Sequence, residues 1–426
     1  MFKNLLAFGA IAALSIIGGA NIPKFSDSAV AVSSNGTVLS SEVKLPVNKI
    51  DLDYEATDYD IAAVSAKQTG SEPNITAKAA ILLEANSGKV LYSKDETKHL
   101  PIASMVKIMT LAVIYDALEA GQIKLDDDVM ISRNANGMGG SQAFLDFDST
   151  YKVSELIKSI VVASANDSCV AMAEHLYGSE ADFVDKMNEL ASRLGMTNTN
   201  FVNCTGLPTV GAYSCAADVA KMYAHIMKSP FYGKDQKIWM YDLEHPSGRV
   251  TGLTNTNKHA RFYPNCEGGK TGFTAEAGHC IAVTAERKNL RPVAVIIGAS
   301  DSKTRFAESA ALMNHTFDAY ENKLIVNKDK PIGQIKLQKA WDSQAEVYAK
   351  ENVYDLCKKG DKDQPTVNIE LQRTVKAPIA KDAPVGVIIV TEDGKVIGEV
   401  DAVTGKDISR LTYLDAVKKA VNKFKI

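Results

Sequence analysis

Histidine is scarce in this chain, with 7 in 426 residues, and no cysteine occurs before Cys169. None of the histidines has ligand spacing with the cysteines, so neither a metal site nor a bound cofactor is expected. The late first cysteine also excludes a lipid-modified N-terminal cysteine. The six cysteines, at 169, 204, 215, 266, 280 and 357, do not resemble a disulfide framework. A chain this long can stabilise its core without one. Cys204 and Cys215, on either side of Gly206-Leu207-Pro208, are the one pair to watch. A basic surplus is missing as well: the net charge of −3 argues against nucleic-acid binding. The apolar stretch from Leu5 to about Gly19 is short of the ~20 residues of a membrane-spanning helix.

The composition is that of an ordinary globular protein, 46% hydrophobic and 23% charged, and the length suits two or three domains. Lys3, the Ala- and Gly-rich apolar stretch and the A-x-A site Ala29-Val30-Ala31 read as a secretory signal peptide over residues 1–31. An uncleaved anchor is the competing reading. The mature chain should work outside the cytoplasm, at the outer face of the cytoplasmic membrane or in the cell wall. Residues 32–74, rich in Ser, Thr, Asp and Lys, read as a spacer.

Pro101-Ile102-Ala103-Ser104-Met105-Val106-Lys107-Ile108 is the stretch that organises the rest. A serine and a lysine three residues apart share one face of a helix's first turn. A serine hydroxyl needs a neighbouring base, and an amine serves only when its ammonium is destabilised by burial or a second cation. Lowering it from ~10.4 to ~7–8 takes ~4 kcal/mol. S-x-x-K is equally the pattern of a helix N-cap. Two later triplets change the weighing: Ser164-Ala165-Asn166 after an apolar run, and Lys270-Thr271-Gly272 followed by Phe273-Thr274 and an apolar strand. Each is common singly. In this order, S-x-x-K, S-x-N and K-T-G form one set.

With Ser164-Ala165-Asn166-Asp167, Thr205-Gly206-Leu207-Pro208, Tyr213-Ser214 and Gly269-Lys270-Thr271-Gly272-Phe273-Thr274, the chain resembles the serine-type D-alanyl-D-alanine carboxypeptidases, low-molecular-weight penicillin-binding proteins. The resemblance is close over 75–323 and looser over 324–426. It implies an α+β penicillin-binding fold: an antiparallel sheet covered by helices, beside a helical subdomain, with the site in the cleft. It also implies that Ser104 attacks the penultimate D-alanine of a peptidoglycan stem peptide ending in D-Ala-D-Ala, and that β-lactams occupy the same site. Lys107 would accept the serine's proton, and Ser164 would relay it to the leaving amine. Asn166 would hold Lys107 and the substrate amide. Lys270 and Thr271 would receive the terminal carboxylate on the strand carrying Gly272, with the N–H groups of Ser104 and Phe273 as the oxyanion hole. Lys270 would help keep Lys107 neutral. Two departures, Val106 and Asp148, lie away from the reacting groups.

Around these motifs, Ala79–Leu83 and Val90–Tyr92 read as a hairpin, and Ser104 to Gly121 as a helix apolar on nearly all sides, hence central. Further helices are expected near 153–163, 167–176, 180–194, 216–228 and from Ser302 to about Asn322. From 324 to 410 short β-type runs, with Asp393-Gly394 between two of them, predict a β-rich second domain. Residues 411–426 read as a basic amphipathic helix, with Leu414, Val417, Val421 and Phe424 against Lys418, Lys419, Lys423 and Lys425. It fits either an anionic membrane surface or packing on the β domain. Two rival functions fit the sequence less well. A β-lactamase would place a glutamate between S-x-N and K-T-G, and Leu190–Leu243 holds none. A non-enzymatic wall-binding protein would not need an intact set.

Overall fold

The computed structural model describes residues 72–362 and 364–424. The expected signal peptide, and the spacer up to residue 71, lie outside these residues.

A five-stranded antiparallel sheet in the order β2-β1-β9-β8-β7 carries the first half of the chain. Its strands are β1 (Ala79–Glu84), β2 (Val90–Lys94), β7 (Cys266–Thr274), β8 (Gly278–Ala285) and β9 (Pro292–Ala299). Side chains alternate faces along a strand, and here both faces are buried. Ala79, Ile81, Val293, Val295 and Ile297 join the helical core on one side, while Ala80, Leu82, Ala294 and Ile296 join a second core on the other. Between β2 and β7 come α1 (Val106–Glu119), the short pair β3 (Asp128–Met130) and β4 (Thr150–Lys152) around α2 (Arg133–Asn136), then α3 (Val153–Ala163), α4 (Asn166–Tyr177), α5 (Glu180–Arg193), α6 (Ala216–Ile226), the hairpin β5 (Met240–Glu244) and β6 (Val250–Thr254), and α7 (His259–Phe262). As expected, α1 is buried on nearly every side, Lys107 included. It forms the axis of the helical layer. The opposite face is closed by α8 (Ser302–Ala319) through Phe306, Ala310, Met313 and Phe317.

The expected helix from Ser302 to Asn322 ends earlier. Tyr320–Val326 leaves it as β10, because this segment pairs with β13 (Val353–Lys358). Local propensity there yields to a partner about 30 residues further on. The division expected between 323 and 324 falls inside β10. The remaining strands are β11 (Gly333–Gln338), β12 (Gln344–Ala349), β14 (Thr366–Leu371), β15 (Thr374–Lys376), β16 (Pro384–Glu392) and β17 (Lys395–Thr404). They form one six-stranded sheet ordered β14-β16-β17-β12-β11-β15. The Asp-Gly turn expected between β16 and β17 is present, with both central residues at positive φ (49° and 75°) as a two-residue hairpin needs. Leu356 of β13 packs into the α8-side core, so the two halves share buried surface. The last helix, α9 (Tyr413–Phe424), starts at Thr412, whose side chain accepts from Asp415 N (3.2 Å) while the Asp415 carboxylate accepts from Thr412 N (3.1 Å). All six cysteines are free and buried, Cys204 and Cys215 among them.

Candidate active site

Ser104 sits in a single 3-10 turn, Ala103–Met105, that runs directly into α1. The turn is held by near-contact with two glycines. A Cβ on Gly272 would lie 2.9 Å from Ile102 O, 3.0 Å from Ser104 N and 3.1 Å from Ala103 Cβ. One on Gly206, where φ is +80°, would lie 2.1 Å from the Ala103 carbonyl oxygen. Only glycine tolerates both that conformation and that approach.

One turn along, Lys107 is fully buried with its Nζ 3.0 Å from Ser104 Oγ. The same nitrogen donates to the carbonyl of Thr205 at 2.5 Å. Burial pushes its pKa below the ordinary lysine value, against a weaker opposing pull from Cys169, Cys204 and Asp167. The loop presenting the Thr205 carbonyl is fastened on both sides. Thr110, on the same helix as Lys107, donates to Cys204 O at 2.7 Å. Asn203 Oδ1 accepts from Gly206 N at 2.7 Å and Thr205 N at 3.1 Å.

The S-x-N triplet lies at the break between α3 and α4. Ser164 ends α3 in the left-handed region, φ 60°, which turns its hydroxyl toward β7. There it accepts from Lys270 Nζ at 2.8 Å. Asn166 is tied to the segment after α2: its backbone N–H donates to Ser141 O (2.7 Å) and its Nδ2 to Gly139 O (2.7 Å). Asp167 fixes the same segment by accepting from Ala143 N (3.0 Å) and Leu145 N (3.2 Å). These bonds leave Asn166 Oδ1 buried with no hydrogen-bond partner among the described residues.

β7 is an edge strand, so its outer edge is open to the cleft. Lys270 on it is buried, and its pKa is driven well below the usual lysine value by burial first and by repulsion from Lys107 second. Thr271 Oγ1 donates to Thr256 Oγ1 at 2.8 Å. Phe273 is 59% exposed, its ring centroid 4.4 Å from that of His279.

Ser104, Lys107, Ser164 and Lys270 thus form two bonded pairs; Thr271, Gly272 and Phe273 follow Lys270 on β7, and Asn166 opens α4 two residues after Ser164. One expectation is corrected. Asn166 makes no hydrogen bond to Lys107, whose partners are Ser104 and Thr205. Burial is the larger cause of the lowered pKa at both lysines, and their mutual repulsion adds to it. Sequence reasoning gave no role to Asn203, Thr205, Gly206 or Thr256. Three of these four fall in or beside the Thr205-Gly206-Leu207-Pro208 stretch, and that short glycine-containing run was the signal available.

Chemically, such a cleft is suited to acyl transfer: a serine beside a buried amine, with a second amine placed for an anionic group one residue past the bond attacked. A family model described as D-alanyl-D-alanine carboxypeptidase matches residues 66–301, and one described as penicillin-binding protein 5, C-terminal domain, matches 320–410. A D-alanyl-D-alanine carboxypeptidase of Bacillus subtilis, DacF, is 37% identical over 84% of this chain and 94% of its own length. Among solved structures, penicillin binding protein 5 from Haemophilus influenzae superposes with a TM-score of 0.64 at 29% identity, covering 80% of this chain and 99% of that one. A Streptococcus pneumoniae protein titled a peptidoglycan synthesis regulatory factor (PBP3) gives 0.69 at 26% identity, covering 79% and 100%. The chain belongs to the D-alanyl-D-alanine carboxypeptidase family, serine peptidases with the penicillin-binding fold.

Proposed function

We propose that this chain removes the terminal D-alanine from peptidoglycan stem peptides ending in D-Ala-D-Ala, through an acyl-enzyme on Ser104. The observation that carries the reading is the 3.0 Å approach of a fully buried lysine to the serine hydroxyl. Neutral Lys107 takes the Ser104 proton as the oxygen attacks the carbonyl of the penultimate D-alanine. The carbonyl oxygen turns toward the N–H groups of Ser104 and Phe273, where a donor is worth ~3–4 kcal/mol. Ser164 passes a proton to the leaving D-alanine amine, and water then releases the shortened peptide. Asn166 Oδ1 accepts from the substrate amide, which satisfies an otherwise orphaned acceptor. The terminal carboxylate lies against Lys270 and Thr271. It supplies the counter-charge that no carboxylate among the described residues gives Lys270, and so holds the proton there instead of on Lys107. β-Lactams, with a strained amide beside a carboxylate, enter by the same contacts.

The site works outside the cytoplasm, and we assign it to the outer face of the membrane, with α9 lying on an anionic bilayer. On this helix Tyr413 (84%), Leu414 (71%) and Val417 (45%) are exposed. At 3.6 residues per turn they share one side. Lys419, almost opposite, donates to Ala340 O at 3.1 Å and to Trp341 O. This lysine, expected among the membrane-facing charges, instead fastens the helix to the β-rich half. The apolar stripe is thereby turned away from its own domain, contrary to what packing on that domain would need. Incubating purified protein with a diacyl-D-Ala-D-Ala peptide tests the catalytic reading: free D-alanine should appear with wild type and not with Ser104→Ala. D-alanine released equally by both would overturn it.

A further inference from the structure

On the β-rich half, the outer face of β11 and β12 and the end of β17 border an open cavity of about 700 Å³. Side chains alternate along β12: Ala345, Val347 and Ala349 enter the domain's core, which turns Gln344, Glu346 and Tyr348 into the cavity. The Tyr348 ring is fixed on two sides. Its hydroxyl donates to Glu346 Oε2 at 2.7 Å, and Gly405 lies so close that a Cβ there would stand 2.8 Å from the ring's Cε2. Gln334, opposite Glu346 on β11, adds a second carboxamide to that of Gln344, and neither carboxamide has a hydrogen-bond partner among the described residues. Four lysines stand around the cavity against three carboxylates, those of Asp329, Glu346 and Asp382. Lys350 and Lys406 pair with Asp401 (3.2 Å) and Asp342 (3.6 Å). Lys328 and Lys381 have their backbone N–H groups held by Asn352 and Asp407, while their ammoniums meet no carboxylate among the described residues.

We infer that this cavity binds the glycan strand of peptidoglycan, a polysaccharide hung with carboxylate-bearing peptides, and so holds the enzyme on its polymer independently of Ser104. The inference goes beyond the carboxypeptidase reading above and takes from it only the choice of polymer. A sugar ring presents apolar C–H groups on its faces and hydroxyls around its edge. An aromatic ring bordered by carboxamides and a carboxylate complements both. The volume falls within the ~300–1,000 Å³ of sites that bind small ligands or short pieces of a polymer. Because Gly405 and Glu346 already hold Tyr348 in place, little ordering of the ring is left to binding. Lys328 and Lys381 then give the peptide carboxylates the counter-charge that each group lacks alone. The near balance of lysines and carboxylates around the cavity disfavours a polyanion or an anionic bilayer, which would meet Asp329, Glu346 and Asp382 as repulsion.

The test is sedimentation of full-length protein, its serine first blocked with benzylpenicillin, with insoluble peptidoglycan sacculi freed of teichoic acids. Blocked wild type should sediment with the sacculi. Tyr348→Ala should weaken this binding about tenfold. The double variant Lys328→Glu/Lys381→Glu, changed only at exposed positions, should weaken it by about the same factor, two exposed charge pairs together. Without the block, both variants should release D-alanine from a soluble diacyl-D-Ala-D-Ala peptide at the wild-type rate, and from sacculi about tenfold more slowly at low substrate. Blocked wild type remaining in the supernatant, or both variants sedimenting as wild type does, would overturn the inference. Loss of partition onto phosphatidylglycerol vesicles with undiminished sedimentation would give the cavity to the bilayer and overturn it too. No D-alanine from the soluble peptide with wild type would instead overturn the carboxypeptidase reading, while sedimentation would still decide what the cavity binds.

Discussion

Lys107 Nζ and the backbone carbonyl of Thr205, 98 positions apart in sequence, meet at 2.5 Å. A carbonyl can only accept, so it claims one N–H of the amine whatever the amine's charge. In the neutral form this leaves the nitrogen lone pair free to face Ser104 Oγ, 3.0 Å away. The base is therefore aimed, and burial favours its neutral form.

Acylation should accordingly rise with pH as Lys107 loses its proton. Burial lowers its pKa, so the limb's midpoint should lie below ~10.4, the ordinary lysine value. Below the limb Lys107 is charged and idle; above it the amine is free to act. Lys107 and Lys270 repel each other, so the apparent value belongs to the pair. Stopped-flow acylation by benzylpenicillin across pH measures it. A midpoint at the ordinary lysine value would remove Lys107 as the base.

Gly272→Ala should slow acylation about 100-fold or more while leaving most of the protein folded. The added Cβ must displace the Ile102–Ser104 backbone or β7 by a few tenths of an ångström. Small misplacements of a reacting group cost up to about that factor. Acylation rate and melting temperature, measured together, separate the two effects. An unchanged rate would show that the turn yields without consequence.

Lys270→Ala should lose activity on peptides with a free C-terminus far more than it loses stability, since the buried amine has no carboxylate partner to forfeit among the described residues. Wild type acting equally on amidated and free-acid peptides would contradict the role given to Lys270.

Brief exposure to benzylpenicillin should add one drug mass, located on the peptide containing Ser104, absent from Ser104→Ala, and persisting for minutes. The leaving amine stays tethered to the acyl group, which obstructs water. An adduct on a different residue would displace Ser104, and turnover faster than about one per second would indicate a β-lactamase.

Deleting residues 411–426 should reduce partition onto anionic vesicles, where each lysine near the surface contributes about 1 kcal/mol. Equal partition of full-length and shortened protein would end the membrane assignment of α9.

What could be read from the sequence was what local pattern encodes. The all-round apolar residues of α1 announced a central helix, Asp393-Gly394 announced its hairpin, and three motifs announced the cleft. What escaped acts across long separations and through atoms every residue shares. Thr205 contributes a carbonyl, and Gly206 contributes the absence of a Cβ. Thr256 meets Thr271 only because β7 folds back beside it. β7 itself, with three glycines in nine residues, carries little strand propensity. Its pairing with β8 decides its conformation.

The two glycines that flank Ala103 and Ser104 have a consequence for how this protein can drift. Most positions near a reaction centre offer a graded series of substitutes, each trading a little rate for a little stability. Here the nucleophile's address is written by two missing methyl groups, one on a loop and one on a strand, neither of which does any chemistry. Variation at these sites has no gentle slope. A single added carbon at Gly206 or Gly272 presses directly on the Ala103–Ser104 backbone, so the serine must move with it.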